Sequence, residues 1–200
     1  MGPTPSNAVG DAAGAPFTAS PGGPSYHCPM DLVVLVGADD VEVGVEEKLA
    51  AHAAPGKRHR AVSVVVVDGT GRVMMQRRAS TKHHFADRWS NTCCTHPRPG
   101  EAPEAAGERR LLEEMGVRAR LTRRGSFEYR AEDPVSGLVE HEIDHVLVGR
   151  HDGDPEPEPA EVGEWAWVEP TVLTEAISTV PGDYTPWLAQ VLELALDLRR

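Results

Sequence analysis

The apolar residues of this chain occur in short runs separated by turn-forming residues, a pattern typical of strands interleaved with helices. Leu32–Val36 is a β-branched run that predicts a strand, and Ala61–Val67 is a nearly continuous apolar run that predicts a buried one. The turn sequence Asp68–Gly71 makes Arg72–Gln76 the predicted hairpin partner of the second strand. Further strands are predicted over 121–130, 138–149 and 165–168.

Helical periodicity is strongest in Glu104–Met115, where alanines and leucines recur on one face and Gly116 ends the helix. A shorter helix is predicted over Glu46–Ala54, because Pro55-Gly56 stops it, and a last helix over Tyr184–Arg200. Strands and helices mixed in this order predict an α/β sandwich rather than a doubly wound sheet.

Composition divides the chain into two parts. Residues 1–29 are rich in Gly, Pro, Ala and Ser, and Asp11 is their only formally charged side chain, so they are predicted to form a disordered tail. Residues 30–200 are expected to form a single domain, for which 200 residues in all and 40% hydrophobic residues are sufficient. Neither a signal peptide nor an apolar run of the roughly 20 residues needed to span a membrane is evident, so we expect a cytoplasmic protein.

The formal net charge of −11 argues against the basic surface of a nucleic-acid-binding protein, and we expect no nucleic acid and no membrane as partners. A small anionic substrate is compatible with this charge, because a local cluster of Lys and Arg can offset it. Cys28, Cys93 and Cys94 make a poor disulfide framework and fit a reducing compartment. Adjacent residues of a strand point to opposite faces, so at most one of Cys93 and Cys94 faces any given pocket.

The segment from Thr95 to Val117 resembles the Nudix box, a motif with nine specified positions. The pattern is Gly, five residues, Glu, seven residues, and then Arg-Glu-aliphatic-any-Glu-Glu-any-Gly-aliphatic. Seven positions match with the spacing kept: Glu101, Arg109, Leu111, Glu113, Glu114, Gly116 and Val117. The match predicts a Nudix-type fold, although it assigns no role to Glu113.

Two positions depart from the box. Thr95 stands where the box has Gly, and Arg110 stands where it has the first catalytic glutamate of Nudix hydrolases. In those enzymes the helix gathers carboxylates around divalent cations that bridge a diphosphate and activate water. A guanidinium in place of a carboxylate removes a metal ligand and adds a bidentate phosphate donor. The site is therefore predicted to hold a diphosphate rather than to cleave it.

Five metal-type ligands are scattered along the chain, and each alone is more typical of a surface or core position. Glu140 and Glu142 form an E-x-E pair, whose side chains share one face of a strand. His52, His59 and His96 add three imidazoles. Together they predict a five- or six-coordinate site for Mn²⁺ or Mg²⁺, with Zn²⁺ as an alternative because imidazole suits it equally well.

Four longer strings resemble type I isopentenyl-diphosphate isomerases and are more specific than the Nudix box. They are EEKLAAH (Glu46–His52), RRASTKHHFADRWSNTCCTHP (Arg77–Pro97), EYRAEDPVSGLVEHE (Glu128–Glu142) and TPWL (Thr185–Leu188). The resemblance runs from about Asp31 to about Leu188. It implies a single domain with a Nudix-type mixed β-sheet sandwiched between helices, the Nudix core lying at about 57–190. It also implies isomerisation of isopentenyl diphosphate to dimethylallyl diphosphate by metal-assisted protonation and deprotonation, in isoprenoid biosynthesis.

The family resemblance implies a role for most of the residues above. A cysteine in the pattern W-[ST]-N-x-x-C-x-H-P and the second glutamate of E-x-E form the family's catalytic pair, which corresponds here to Cys94 and Glu142. Cys93 occupies a position that the family leaves variable. A second Mg²⁺, bound with the diphosphate, is implied at Glu114 and the Cys94 backbone. The family's metal site maps to the five ligands His52, His59, His96, Glu140 and Glu142.

The resemblance also implies which residues contact the small-molecule substrate, isopentenyl diphosphate. They are the diphosphate-holding Lys48, Arg78 and Lys82, the neighbouring Thr95 and Arg110, and the aromatic Tyr129 and Trp187, which line the hydrocarbon pocket. The chain is expected to be a monomer or a weak homodimer.

Two other functions fit parts of the pattern. An active Nudix hydrolase of nucleoside diphosphate derivatives would tolerate Arg110 at its position and would not need Cys94. A non-catalytic module of this fold would bind Mg²⁺ and diphosphates without turnover. Neither function accounts for the E-x-E pair, the three histidines and the Cys-x-His-Pro string together.

Overall fold

The computed structural model describes residues 32–197, so the tail predicted over 1–29 and the end of the helix predicted over 184–200 lie outside the described residues. Nine strands form one mixed sheet in this range. They are β1 (Leu32–Val36), β2 (Glu42–Glu47), β3 (His59–Val67), β4 (Val73–Arg78), β5 (Trp89–Ser90), β6 (Cys93–Thr95), β7 (Thr122–Glu132), β8 (Val139–Arg150) and β9 (Val162–Val168). The α-helices are α1 (Lys48–His52), α2 (Pro103–Met115), α3 (Pro170–Thr179) and α4 (Leu188–Ala195). Within 32–197, no helix has the length and apolar character needed to cross a membrane.

Strands β3 and β8 form the parallel centre of the sheet, and their register runs from His59 beside Glu142 to Val67 beside Arg150. Strand β3 is a nearly unbroken apolar run because both of its faces are covered. Its alternate residues enter different core clusters, Val62, Val64 and Val66 with residues of α2, and Val65 and Val67 with residues of α3 and α4. The predicted α/β sandwich is confirmed, with the sheet between α2 on one face and α3 and α4 on the other.

The hydrophobic patterns of the sequence predicted most strands and helices correctly. The strands predicted over 32–36, 61–67, 72–76, 121–130, 138–149 and 165–168 are all present, with ends within three residues of the prediction. Helix α2 confirms the helix predicted over 104–115. Its first residue, Pro103, already has the backbone angle that a first turn needs. It ends at Gly116 with φ of 66°, where a Cβ atom would lie 2.8 Å from the carbonyl oxygen of Glu156.

The helix predicted over 46–54 is wrong at both ends. Glu46 and Glu47 belong to β2, where they pair with β1 across an antiparallel register, so α1 spans only Lys48–His52. Pairing with the preceding strand outweighs the helix propensity of the two glutamates. The shortened helix places His52 at its last position with its side chain buried.

The C-terminal part also differs from the prediction. Helix α3 was not predicted, and α4 begins at Leu188 rather than at Tyr184. The segment before α4 is held against β5, because the backbone N–H of Thr185 donates to the carbonyl oxygen of Trp89 at 2.9 Å. That contact keeps Trp187 at the helix start, with its indole buried in the core.

Candidate active site

A cavity of about 370 Å³ lies between β1, α1, the end of β4, α2 and β8. Of the residues predicted to form the site, twelve line it. The other two, His59 and Glu114, contact residues that do: His59 faces His96, and Glu114 pairs with Lys82 and Arg110. The fold therefore brings the predicted residues together from across the chain.

The five predicted metal ligands converge at the inner end of this cavity. One ligand atom from each of them lies within 4.8 Å of the others. They come from the end of α1, the start of β3, the residue after β6, and two alternate positions of β8. The E-x-E pair shares one face of its strand, as the spacing predicts. The five residues are His52, His59, His96, Glu140 and Glu142.

Backbone contacts orient two of the imidazoles toward the centre of this cluster. Nδ1 of His52 lies 2.7 Å from the carbonyl oxygen of Lys48, and Nδ1 of His59 lies 2.8 Å from that of Lys57. A carbonyl oxygen only accepts, so each Nδ1 carries the hydrogen and the neutral ring presents a lone pair on Nε2. Nε2 of His59 is 3.1 Å from Nε2 of His96. Buried lone pairs and carboxylate oxygens in such proximity are compatible with a divalent cation.

The two carboxyl groups of the cluster have opposite pKa shifts. Burial and the adjacent charge of Glu140 raise the pKa of Glu142. Burial also acts to raise the pKa of Glu140, but the interactions of this carboxyl group with His52 and His84 outweigh burial and hold that pKa well below its usual value. Divergent pKa values in neighbouring carboxyl groups are typical of sites where one group moves protons.

Cys94 enters the same cavity from β6. Its Sγ atom lies 3.3 Å from Nδ2 of Asn91 and 3.5 Å from the hydroxyl of Ser63, which donates to Asp144 at 2.7 Å. Burial and the neighbouring Asp144 raise the pKa of the Cys94 thiol to about 12. Cys93 points to the opposite face and packs in the core cluster beneath α2. The two adjacent cysteines thus face different layers, as expected for a strand.

Two aromatic rings form the apolar wall of the cavity. Tyr129 donates a hydrogen bond from its hydroxyl to Glu142 at 2.6 Å. The ring of Trp187 lies 5.8 Å from the Tyr129 ring between centroids, and its indole N–H donates to Oδ1 of Asn91 at 3.2 Å. Phe85 meets Trp187 edge to face at 5.4 Å. The indole is therefore locked in place while the Tyr129 side chain spans the space to Glu142.

Six cationic side chains line the cavity, and two of them, Lys48 and Arg78, form no ion pair within the described residues. Arg110 pairs with Glu114 and with Glu161 at 2.7 Å each, and Lys82 pairs with the same two carboxylates. Lys48 and Arg78 have no such partner in residues 32–197. Burial and repulsion from Lys82 lower the pKa of Lys48. Enclosed charges without a counterion are costly, so the end of the cavity that these two side chains line is built for an anion.

Sequence comparisons agree with this geometry. The NUDIX domain family model matches residues 57–192. The isopentenyl-diphosphate Delta-isomerase of Nocardia farcinica is 50% identical over 167 residues, covering 84% of this chain and 94% of that protein. The enzyme of the same name from Halorhodospira halophila is 46% identical over 165 residues, covering 82% and 94%. This chain belongs to the isopentenyl-diphosphate Delta-isomerase family.

Solved structures similar to this family member share its fold. A protein from Deinococcus radiodurans superimposes with a TM-score of 0.66 at 21% identity, covering 80% of this chain and 96% of that one. The MutT protein from Methanosarcina mazei gives a TM-score of 0.56 at 16% identity, covering 72% and 96%. At these identities the likeness concerns the fold alone.

Two predicted residues of this isomerase-family chain lie at the edge of the site. Thr95 is half-buried and lines the cavity, with its hydroxyl 3.5 Å from the carbonyl oxygen of His96. Glu114 is fully buried and accepts a hydrogen bond from Gln76 at 3.0 Å. It lies among the cations and is not one of the five converging residues of the cluster.

Several residues of the site were missed by the sequence patterns. Asn91 lies inside the W-[ST]-N-x-x-C string, so a signal for it was available. Glu161 follows an acidic, Pro-rich loop and carried no signal, although it pairs with Lys82 and Arg110. His84 lies inside the string Arg77–Pro97 but received no role from it, although its Nε2 lies 2.5 Å from Oε1 of Glu140.

Proposed function

We propose that this cavity isomerises isopentenyl diphosphate to dimethylallyl diphosphate, the activity in the names of the curated relatives. One observation carries the proposal: Lys48 and Arg78, two enclosed cations that form no ion pair within residues 32–197, line the same cavity as Cys94 and Glu142. A small molecule with an anionic end and a reactive apolar end fits that arrangement. We place this activity in one domain spanning residues 30–200, acting as a monomer or weak homodimer.

The diphosphate binds at the cationic end of the cavity. Lys48 supplies an ammonium group that forms no ion pair within residues 32–197. Arg78 supplies a guanidinium group that pairs with no carboxylate in that range, while its Nε and Nη2 donate to carbonyl oxygens of Phe85 and His84. Lys82 and Arg110 line the same cavity and form ion pairs with Glu161. When the substrate binds, contacts with phosphate oxygens replace part of this ion pairing. Anchoring this end orients the alkene, and orientation by itself lowers a reaction barrier.

Cys94 and Glu142 move the protons. The reaction adds a proton to C4 of the alkene and removes one from C2, so one of the two groups donates while the other accepts. They come from β6 and β8, which both flank β3, and they line the same cavity. Tyr129 keeps the Glu142 carboxyl group oriented through its 2.6 Å hydrogen bond.

The aromatic wall stabilises the positive charge that develops on the tertiary carbon. Carbocations are trapped by nucleophiles, and the faces of Trp187 and Tyr129 offer electron density without a nucleophilic atom. A desolvated cation–π contact is worth about 2 kcal/mol or more. The bond from the indole N–H to Asn91 fixes the plane of Trp187 and hence the direction of this stabilisation.

The five-residue cluster holds a divalent metal, for which we propose Mn²⁺ or Mg²⁺, with Zn²⁺ as the alternative. When bound, the cation polarises the Glu142 carboxyl group and makes its proton more acidic. His52, His59 and His96 present nitrogen ligands, while Glu140 contributes a carboxylate whose pKa is already low. Glu114 and the Cys94 backbone would hold a second Mg²⁺ that is carried by the diphosphate.

Hydrolysis is disfavoured by the position of Arg110. Nudix hydrolases use carboxylates of the box helix to gather cations around the scissile diphosphate. Here the Arg110 guanidinium lies 2.7 Å from both Glu114 and Glu161, where it reduces their negative charge. The same group is well placed to hold a diphosphate intact.

Proton NMR in D₂O, with isopentenyl diphosphate and Mg²⁺, tests the proposal directly. The wild-type protein is expected to form dimethylallyl diphosphate that carries solvent deuterium. Cys94→Ala is expected to abolish this product, while Cys93→Ala, whose thiol faces α2, is expected to retain it. Unchanged substrate in the presence of bound metal would overturn the proposal, and release of phosphate would indicate a hydrolase.

A further inference from the structure

The loop between β4 and β5 places a fourth imidazole beside the metal cluster. The ring of His84 is mostly buried, and its Nε2 lies 2.5 Å from Oε1 of Glu140. It stacks on His52 at 5.3 Å between ring centroids, with an interplanar angle of 27°. His84 is not one of the five converging ligands, so its contact is with a ligand rather than with the centre of the cluster.

Hydrogen bonds from other parts of the fold hold the backbone of the β4–β5 loop in one conformation. Phe85 has a φ of 47°, a left-handed conformation that a bulky side chain rarely adopts. Its backbone N–H donates to the buried carboxylate of Asp133 at 3.3 Å. Arg78 donates to the carbonyl oxygens of His84 and Phe85 at 2.9 and 3.1 Å. Contacts from two other parts of the fold therefore fix the backbone on which His84 is carried.

The two oxygens of Glu140 have different partners. Oε2 faces Nε2 of His52 at 3.0 Å, inside the cluster, whereas Oε1 faces His84 outside it. Nδ1 of His84 is buried and has no hydrogen-bond partner in residues 32–197. Within residues 32–197, the contact with Glu140 is thus the only polar interaction of the His84 ring.

We propose that His84 is a positioning residue of the metal site, which binds Oε1 of Glu140 and so keeps Oε2 directed at the three imidazoles. The inference rests on the proposed metal site and adds a residue to it. Hydrogen-bonding partners of metal ligands fix ligand orientation, and their loss typically weakens metal binding by about 10- to 100-fold. Arg78 lies at the diphosphate end of the cavity and donates to the carbonyl oxygens of Phe85 and His84. Because His84 contacts Glu140, these hydrogen bonds connect the diphosphate end of the cavity to the metal end.

Metal affinity in the absence of substrate tests this role without relying on turnover. Mn²⁺ is titrated into the metal-stripped full-length protein, and free Mn²⁺ is followed by electron paramagnetic resonance. His84→Ala is expected to bind Mn²⁺ about 10- to 100-fold more weakly than wild type. His84→Gln, whose amide nitrogen can take the place of Nε2, is expected to recover most of the affinity. The neighbouring His83→Ala, which removes an exposed imidazole, is the matched control and is expected to bind like wild type.

The outcomes separate this role from the metal site itself. His52→Ala removes a ligand and is expected to abolish tight binding. If His52→Ala does so while His84→Ala binds like wild type, the positioning role is refuted and the metal site stands. If the wild type binds no Mn²⁺, or His52→Ala binds like wild type, both are refuted. Equal loss in His84→Ala and His84→Gln, with a lowered melting temperature of both metal-free proteins, would assign His84 to packing and overturn the role.

Discussion

The hydroxyl group of Tyr129 lies 2.6 Å from Oε2 of Glu142 and donates a hydrogen bond to it. The two residues are direct partners in the antiparallel register of β7 and β8, so the contact follows from strand pairing. Oε1 of the same carboxyl group faces His96 at 2.9 Å and His59 at 3.3 Å. Tyr129 therefore holds the oxygen of Glu142 that the imidazoles leave free.

Tyr129→Phe removes this hydrogen bond and keeps the aromatic ring. A hydrogen bond to a charged group contributes about 1.5–3 kcal/mol, so kcat is expected to fall by about 10- to 100-fold with little change in KM. Steady-state kinetics with isopentenyl diphosphate measure both constants. Tyr184→Phe, which makes the same change outside the cavity, serves as the control and is expected to match wild type. An unchanged kcat for Tyr129→Phe would show that Glu142 needs no support from the phenol.

Asn91 links the sulfur of Cys94 to the indole of Trp187 and also donates to the carbonyl oxygens of Val64 and Cys93. Asn91→Ala leaves several buried groups unpaired, and the free energy of unfolding is expected to fall by about 2–4 kcal/mol. Urea denaturation measures this change. Trp187→Phe removes the hydrogen bond from the indole N–H to Asn91 and retains an aromatic face. Its free energy of unfolding gives the comparison for the loss of that hydrogen bond. A loss below about 0.5 kcal/mol in Asn91→Ala would mean that water replaces the amide.

Lys48 is enclosed among like charges, and within 32–197 it forms no ion pair. Lys48→Met is expected to leave the free energy of unfolding equal to or above that of wild type, because burial and the charges of Lys82 and Arg110 disfavour the ammonium group. The same change is expected to raise KM for isopentenyl diphosphate by about 10- to 100-fold, through loss of a charge-assisted phosphate contact. Denaturation curves and kinetics on one preparation measure the two effects.

Lys57→Met is the matched control, since Lys57 is exposed and pairs with Glu46 away from the cavity. It is expected to keep the wild-type KM. A Lys48→Met protein that is less stable but has an unchanged KM would identify Lys48 as a structural residue instead.

Glu161 gives the stability of the protein a specific pH dependence. Burial acts to raise the pKa of Glu161, but Lys82 and Arg110 outweigh it and lower the pKa to about 2. Because the folded-state pKa lies below the ordinary value of 4.5, the charged group stabilises the fold above about pH 4.5 and loses that contribution as the pH falls toward 2. The stability difference between wild type and Glu161→Gln is therefore expected to shrink as the pH falls through this range.

Urea denaturation of both proteins at a series of pH values measures that difference. Glu164→Gln is a suitable control, because Glu164 is exposed and its pair with Arg77 is longer, at 3.7 Å. A difference between wild type and Glu161→Gln that stays constant from neutral to acidic pH would contradict the assigned ion pairs.

The amino-acid sequence by itself determined the features that contiguous residues encode. The periodicity and glycine end of α2, the apolar run of β3 and the shared face of Glu140 and Glu142 depend on spacing within one segment. The strings of the isomerase family, read in the same way, identified the residues that the fold brings into one cavity. Such features are predictable because backbone geometry repeats over a few residues.

Only the tertiary structure decided which distant residues meet. The pairing of β2 with β1 overrode the helix expected at Glu46, and the pair between Lys82 and Glu161 joins residues 79 positions apart. The contact between His84 and Glu140 depends on a left-handed residue at Phe85, which is set by Asp133 and Arg78 rather than by local preference. These contacts depend on how strands and loops pack together, and no spacing along the chain records that packing.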